Sequence, residues 1–257
     1  MWKKLPLTKR VSIGVMAVTT HVAVAVASAA IALWLRQRKH GRTSHGAIAS
    51  FVGLLTEDLP LNPYDLLKRW IDDTEAEAGF LEAHAMTVAT CDSDGGATAR
   101  TVVLQLVGEE HGGLLFGSNR NSLKGRQASA DGRAECVLRF GQRQVRVRGM
   151  LRLDESKAAL SFSRVAPSAR IGLSTLEQGA PIEEVQHRTL AARIDGLLRR
   201  KHEETLVKPP PSYTAFVLDP ISFEFYNGGH PAYLNDRFLY VRSKQGVGFA
   251  PPVRLQA

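Results

Sequence analysis

Arg143-Gln144-Val145-Arg146-Val147-Arg148-Gly149 alternates polar and apolar side chains with a period of two. A β-strand sends successive side chains to opposite faces, so Gln144, Arg146 and Arg148 share one face and Val145 and Val147 the other. Strand-like runs of the same kind surround it, at 85–91, 99–107, 113–118 and 133–140, with the quoted run continuing to 153. Three more follow near the C-terminus, at 213–218, 221–226 and 237–242. Asp92-Ser93-Asp94-Gly95-Gly96 has the composition of a hairpin turn between the first two. Many short antiparallel strands with a few helices predict a closed or nearly closed barrel, mainly β with helices.

The helices are marked by their caps and faces. Asn62-Pro63 starts one, with Asn as N-cap and Pro in the first turn. Leu66, Leu67, Trp70, Ile71 and Thr74 fall on one side of it, the side expected to pack on the barrel. Helices are also predicted around 155–163 and 182–203, the second ended by Pro209-Pro210-Pro211.

Charge divides the chain. The 257 residues carry 33 Lys/Arg and 25 Asp/Glu, but eight of the basic residues and none of the acidic ones lie in 1–56. The remainder is balanced, so the basic excess does not argue for nucleic-acid binding. Val11–Trp34 is a stretch of 24 residues without a formal charge, flanked by Lys3, Lys4, Lys9 and Arg10 before it and Arg36, Arg38, Lys39 and Arg42 after it. At about 1.5 Å per residue it would cross a bilayer core of roughly 30 Å. Four readings stand side by side: a membrane anchor through 11–34, an organelle-targeting presequence, a cleaved secretory signal and a buried helix. The expected organisation is a basic hydrophobic segment at 1–43, a linker at 44–57 and a folded domain at 58–257. The expected location is membrane-anchored or organellar, mitochondria included, with a soluble catalytic domain. Cys91 and Cys136 sit in apolar runs and read as buried, unpaired thiols, and no CxxC or clustered His/Cys spacing points to a metal.

Ala85–Thr90, Ala99–Leu104, Arg143–Gly149, Phe223–Tyr226 and Asp236–Tyr240 occur in an order and spacing that resembles the pyridoxamine 5'-phosphate oxidase family. The resemblance runs from about Asp58 to the C-terminus. It implies an FMN-binding split barrel, a homodimer, and two flavin sites at the subunit interface. FMN presents a dianionic phosphate and a flat ring, which call for cations, hydroxyls and edge donors. The resemblance places these on Arg100, Ser118, Ser122, Lys124, Gln144, Gln178, Tyr226 and Arg237. Arg100 alone also reads as a solvated strand-end arginine, and the Gln144–Arg146–Arg148 face as a solvated sheet face.

Ser118-Asn119-Arg120-Asn121-Ser122-Leu123-Lys124 is similar to the family's phosphate loop, Thr-Asn-x-x-Ser-Arg-Lys, with Leu123 in place of its Arg and with Arg120 and Arg126 as candidate replacements. The loop is expected to lead into a short helix whose first amides favour an anion. Gly179 follows Gln178 where the family has Ser, and Tyr226 stands where it usually has Trp.

The substrate side departs further. The family's substrate-phosphate Lys, Tyr, Arg and Ser align with Gln105, Ser161, Val165 and Ala169, with Arg164 and Arg170 close by as candidate replacements. An Arg-x-His pair that meets the pyridine ring aligns with Tyr233 and Asn235. The resemblance implies oxidation of pyridoxine or pyridoxamine 5'-phosphate to pyridoxal 5'-phosphate by hydride transfer to flavin. O2 is the acceptor, and the residues orient and anchor rather than relay protons. The altered positions leave open a divergent FMN oxidoreductase acting on another substrate, or a non-catalytic protein that binds FMN or pyridoxal phosphate.

Overall fold

In the computed structural model the described residues are 59–176, 178–179, 181–199, 208–229, 235–244 and 246–256. The apolar segment 11–34 and the linker after it lie outside them. Among the described residues no helix is long and apolar enough to cross a membrane.

Asn62 caps helix α1 (Pro63–Ala78) as its sequence predicts, its Oδ1 accepting from Tyr64 N at 3.0 Å. Leu66, Leu67, Trp70 and Ile71 are buried, and Thr74 folds back to donate to Trp70 O at 2.8 Å. A short helix α2 (Phe80–His84) leads into strand β1 (Ala85–Cys91).

All strand pairs are antiparallel. β2 (Ala97–Val103) pairs with β1, and β3 (Leu106–Gly108) pairs with β4 (Gly113–Asn119). The run expected at 99–107 is therefore two strands, broken at Leu104 and Gln105. Those two residues join both neighbours: Leu104 N donates to His84 O and Gln105 N to Leu115 O, each at 2.8 Å. From β1 the sheet continues through β5 (Arg133–Phe140), β6 (Arg143–Asp154) and β7 (Tyr213–Asn227) to β4. The chain itself joins the two ends of this path, running from β2 through Leu104 and Gln105 into β3. β7 is long enough to pair with β4 along its first half and with β8 (Asp236–Val241) along its second, and β9 (Val253–Arg254) adds to β8. One edge of β7 is thus divided between β4 and β8, and the expected class, mainly β with helices, is what the structure shows.

The runs at 213–218 and 221–226 form that one strand, although Asp219-Pro220 reads as a break between them. Pro220 is tolerated because it lies opposite Gly149 at an irregularity in the β6–β7 ladder. A Cβ on Gly149 would lie 2.1 Å from Asp219 O, so only glycine permits this approach.

α3 (Leu123–Ala130) follows the phosphate-loop sequence directly. The helix expected around 155–163 is a 3-10 turn (Glu155–Lys157) running into α4 (Ala158–Ser163). Sequence reading missed α5 (Pro167–Thr175), which Pro167 starts. α6 (Glu184–Arg199) falls inside the range expected at 182–203, and 200–203 lie outside the described residues. The core fills the barrel with Met86, Val88, Leu138, Val145, Val147, Phe223, Phe225 and Tyr240, and α1 caps it through Trp70, whose ring meets Phe225 edge-on at 5.3 Å. Cys136 is buried, Cys91 is partly exposed, and both are free thiols.

Candidate functional site

Two groups of polar side chains gather most of the residues singled out from sequence. The first surrounds the turn from β4 into α3. Ser118, Ser122 and Lys124 are buried, and Lys124 Nζ donates to Ser118 Oγ at 2.9 Å and Ser122 Oγ at 3.0 Å. Ser118 in turn donates to Gln178 Oε1 at 3.3 Å. The turn is fixed by bonds between its own side chains and backbone: Asn121 N donates to Asn119 Oδ1 at 2.8 Å, and Ser122 Oγ to Asn119 O at 2.7 Å. Gly125 is required because a Cβ there would lie 1.9 Å from Arg120 O.

Arg100 belongs to the same group. The β1–β2 register sets Thr90 opposite Thr98 and Val88 opposite Arg100. The guanidinium donates to Thr90 Oγ1 at 2.7 Å and Thr98 Oγ1 at 2.6 Å, and more weakly to Val88 O and Gln127 Oε1. Thr90, Thr98 and Gln127 were not singled out from sequence, although hairpin alternation places both threonines on the face of Arg100. Neither Arg100 nor Lys124 forms an ion pair among the described residues. Burial, with the charge of Arg100 nearby, pushes the Lys124 ammonium down to about 8. Burial also lowers Arg100. Two cations whose pKa values burial lowers, beside two serine hydroxyls where β4 turns into a helix, are the donor set a phosphate dianion needs.

Neither candidate replaces the missing arginine at Leu123. Arg120 pairs with Glu155 at 2.7 Å, and Arg126 donates to Asn121 O at 2.6 Å. Leu123 itself is exposed.

The second group is a row across three strands. Gln144 of β6 lies opposite Tyr226 of β7, which lies opposite Arg237 of β8. They border a cavity of about 550 Å³ together with Arg146, Glu224 and Gly228. Arg237 Nη2 donates to Glu224 Oε2 at 3.1 Å, and Asn235 Nδ2 to the Tyr226 hydroxyl at 2.8 Å. Sequence reading passed over Glu224, although it lies two residues before Tyr226 and so on the same face. Asn235 therefore joins this row, while Tyr233 lies outside the described residues.

The two groups sit at opposite ends of β7. Ser118 pairs with Thr214 and Gln144 with Tyr226, twelve residues further along the same strand. At about 3.3 Å per residue that is roughly 40 Å of strand, so the residues of the two groups do not converge within one chain.

The candidate substrate residues occupy a third place. Ser161 donates to Gln105 Oε1 at 2.5 Å and is 2.8 Å from the Tyr213 hydroxyl. Arg170 lies close enough for its charge to act on Tyr213, but its nitrogens bond elsewhere. Its Nε and Nη2 donate to Val165 O and Ser163 O at 2.9 and 2.8 Å, and its guanidinium lies over the Phe162 ring. Arg164 is exposed. Arg164 does not stand in for the cations absent at Gln105 and Val165, and Arg170 reaches this group through its charge on Tyr213 rather than by a side-chain hydrogen bond to Ser161 or Gln105.

No family model matches the chain. Curated relatives do. A pyridoxine/pyridoxamine 5'-phosphate oxidase from Nostoc punctiforme is 32% identical over 199 residues, 76% of this chain and 89% of that protein. One from Rubrobacter xylanophilus is 32% identical over 209 residues, 79% and 91% of the two chains. Among solved structures, PhzG from Burkholderia lata in complex with tetrahydrophenazine-1-carboxylic acid matches with a TM-score of 0.64 at 25% identity, over 79% of this chain and 96% of that one. A pyridoxamine 5'-phosphate oxidase-related, FMN-binding protein from Nostoc punctiforme shares the fold, with a TM-score of 0.60 at 18% identity over 75% and 96%. With identity at this level across nearly the whole of its curated relatives, the chain belongs to the pyridoxine/pyridoxamine 5'-phosphate oxidase family, and FMN is its cofactor.

Proposed function

We propose that the protein is an FMN-dependent oxidoreductase of the oxidase type, working as a homodimer with each flavin held between two copies. The observation that carries this reading is the pair of separated groups. Arg100, Ser118, Ser122, Lys124 and Gln178 of one copy hold the FMN phosphate, and Gln144, Tyr226 and Arg237 of the other face its ring. Exposed apolar side chains on the outer face of β6–β8, Met150, Ile221 and Val241, suit coverage by a second copy.

Bound FMN supplies a ring that accepts hydride from the substrate and is reoxidised by O2. The chain's own residues bind and orient. Lys124 and Arg100 neutralise the phosphate, and the serine hydroxyls fix its oxygens. Asn235 holds the Tyr226 phenol, and Glu224 holds the Arg237 guanidinium, so that both side chains meet the ring already ordered.

For the substrate, the curated relatives are named for pyridoxine/pyridoxamine 5'-phosphate, and oxidation of these to pyridoxal 5'-phosphate is the first reading. A specific observation favours a second, oxidation of another ring compound. The positions aligned with the family's substrate-phosphate residues carry Gln105, Ser161, Val165 and Ala169, none of them charged. PhzG, at 25% identity, was solved with a ring carboxylic acid rather than a phosphate ester.

The test is anaerobic addition of pyridoxine 5'-phosphate to the FMN-loaded protein while flavin absorbance is followed. Bleaching supports the first reading. A flavin that stays oxidised with this compound moves the assignment to the second. Failure to retain FMN at all would overturn the proposal.

A further inference from the structure

A cavity of about 790 Å³ opens between α5, α6 and the start of β7. It is one of the larger concavities of the barrel domain and within the size range of small-molecule pockets. Its position is informative. Asn119, of the phosphate turn, and Gln178, bonded to Ser118, form one side of it. Tyr213 forms another. Gln178 thus ties one wall of the cavity to Ser118, the serine that Lys124 also engages.

Its chemistry is the reverse of that group. No Lys, Arg, Asp or Glu lines it among the described residues. Leu173, Leu176, Ile182 and Leu190 supply the wall, and His187 is its one basic side chain. Behind Tyr213 the polar groups satisfy one another. The tyrosine hydroxyl and Gln105 both engage Ser161, which is fully buried. Gly117 makes this closure possible, since a Cβ there would lie 1.7 Å from the Tyr213 hydroxyl oxygen. The nearest arginine, Arg170, gives two of its three nitrogens to backbone carbonyls.

Resting on the flavoenzyme reading above, we propose that this cavity is the substrate pocket and that its substrate is an uncharged, planar, largely apolar ring compound, not a phosphate monoester. A dianion placed there would lose its hydration with no Lys or Arg among the described lining residues to replace it, whereas a flat ring finds leucine and isoleucine side chains on its faces. The neutral amides of Asn119, Gln178 and Gln186 on the lining offer hydrogen bonding to a single polar substituent.

The full-length, FMN-loaded protein is titrated with pyridoxal 5'-phosphate, with pyridoxal, and with 2-naphthol as an uncharged planar ring, and binding is read from the flavin spectrum. Pyridoxal 5'-phosphate is expected to bind no more than about threefold more tightly than pyridoxal, and 2-naphthol at least about tenfold more tightly than either. Leu173→Trp, which fills the cavity, is expected to weaken 2-naphthol at least about tenfold while FMN affinity stays unchanged. Leu173→Lys, which adds a cation to the wall, is expected to raise the affinity for pyridoxal 5'-phosphate over that for pyridoxal. A wild-type preference for the phosphate ester of about tenfold or more, or 2-naphthol binding that ignores Leu173→Trp, overturns the proposal. FMN retention is read in the same spectra, so loss of the cofactor would count against the flavoenzyme reading, and retained FMN with a phosphate preference against this one alone.

Discussion

Arg237 and Glu224 form an ion pair across β7 and β8, Nη2 to Oε2 at 3.1 Å, and the same carboxylate receives Arg146 from β6 at 3.2 Å. Glu135 holds Arg146 from the other side at 2.6 Å. The ladder runs beside the Gln144–Tyr226–Arg237 row and fixes the orientation of its only cation. An isolated exposed pair contributes little, but in a chain of four charges across neighbouring strands the two inner members, Arg146 and Glu224, are each restrained from two directions, and Glu224 is thereby held in place for Arg237. Glu224→Gln is therefore expected to weaken FMN binding by less than Arg237→Ala does. Fluorescence titration of both variants checks the order, and a larger loss in Glu224→Gln would place the direct contact on Glu224.

Lys124→Ala and Arg237→Ala are each expected to weaken FMN binding at least about tenfold, since each charge-assisted hydrogen bond contributes about 1.5–3 kcal/mol. Equilibrium dialysis with FMN measures this directly. Unchanged affinity in both variants would sink the assignment of the two groups to one cofactor.

The Lys124 ammonium gives the binding a pH dependence. Burial holds its pKa down to about 8, so the cation that would meet the phosphate is present below that pH and lost above it. A bound dianion stabilises the charged form, so the pKa rises in the complex. Affinity for FMN is then expected to be flat up to about pH 8 and to fall by up to about tenfold per unit above it, until the bound lysine also titrates. Lys124→Arg removes the titration and flattens the profile. A wild-type profile that stays flat to pH 10 on the same measurement would contradict the role given to Lys124.

Much of the fold is legible in the sequence because its signals are local. The alternation at 143–149, the Asn62-Pro63 cap and the hairpin composition at 92–96 each name their element. The features that escape are those set by distant partners. Asp219-Pro220 reads as a strand break, yet β7 passes through it because Gly149, on another strand, yields the space. The same holds for the site. Lys124, Ser118 and Ser122 fall within one turn and announce themselves, whereas Thr90, Thr98 and Gln127 acquire their role only when β2 folds back and α3 packs beside it. The substrate side is the least legible. That Arg170 faces backbone carbonyls instead of the pocket depends on the path of α5, which no sequence pattern predicted.

Trp70 joins α1 to the barrel. Its ring meets Phe225 at 5.3 Å and Phe140 at 6.4 Å, both edge-on, and Arg143 covers it at 5.4 Å. Trp70→Ala leaves a cavity between two rigid elements that cannot collapse onto it and is expected to destabilise the fold by about 3–5 kcal/mol. Urea denaturation, followed by circular dichroism, reads the change. A loss below about 1 kcal/mol would mean that α1 is not part of the cooperative core.

The separation of the two groups along β7 makes a prediction that a one-chain site cannot share. Lys124→Ala damages the phosphate end and Arg237→Ala the ring end, so each variant alone has no intact site. When the two are unfolded together and refolded as a mixture, random pairing makes about half of the dimers mixed. In a mixed dimer one site takes both damaged groups and the other takes Lys124 and Arg237 intact. About a quarter of all sites should then bind FMN with wild-type affinity. If each chain builds a whole site by itself, mixing restores nothing, because every chain still carries one of the two substitutions.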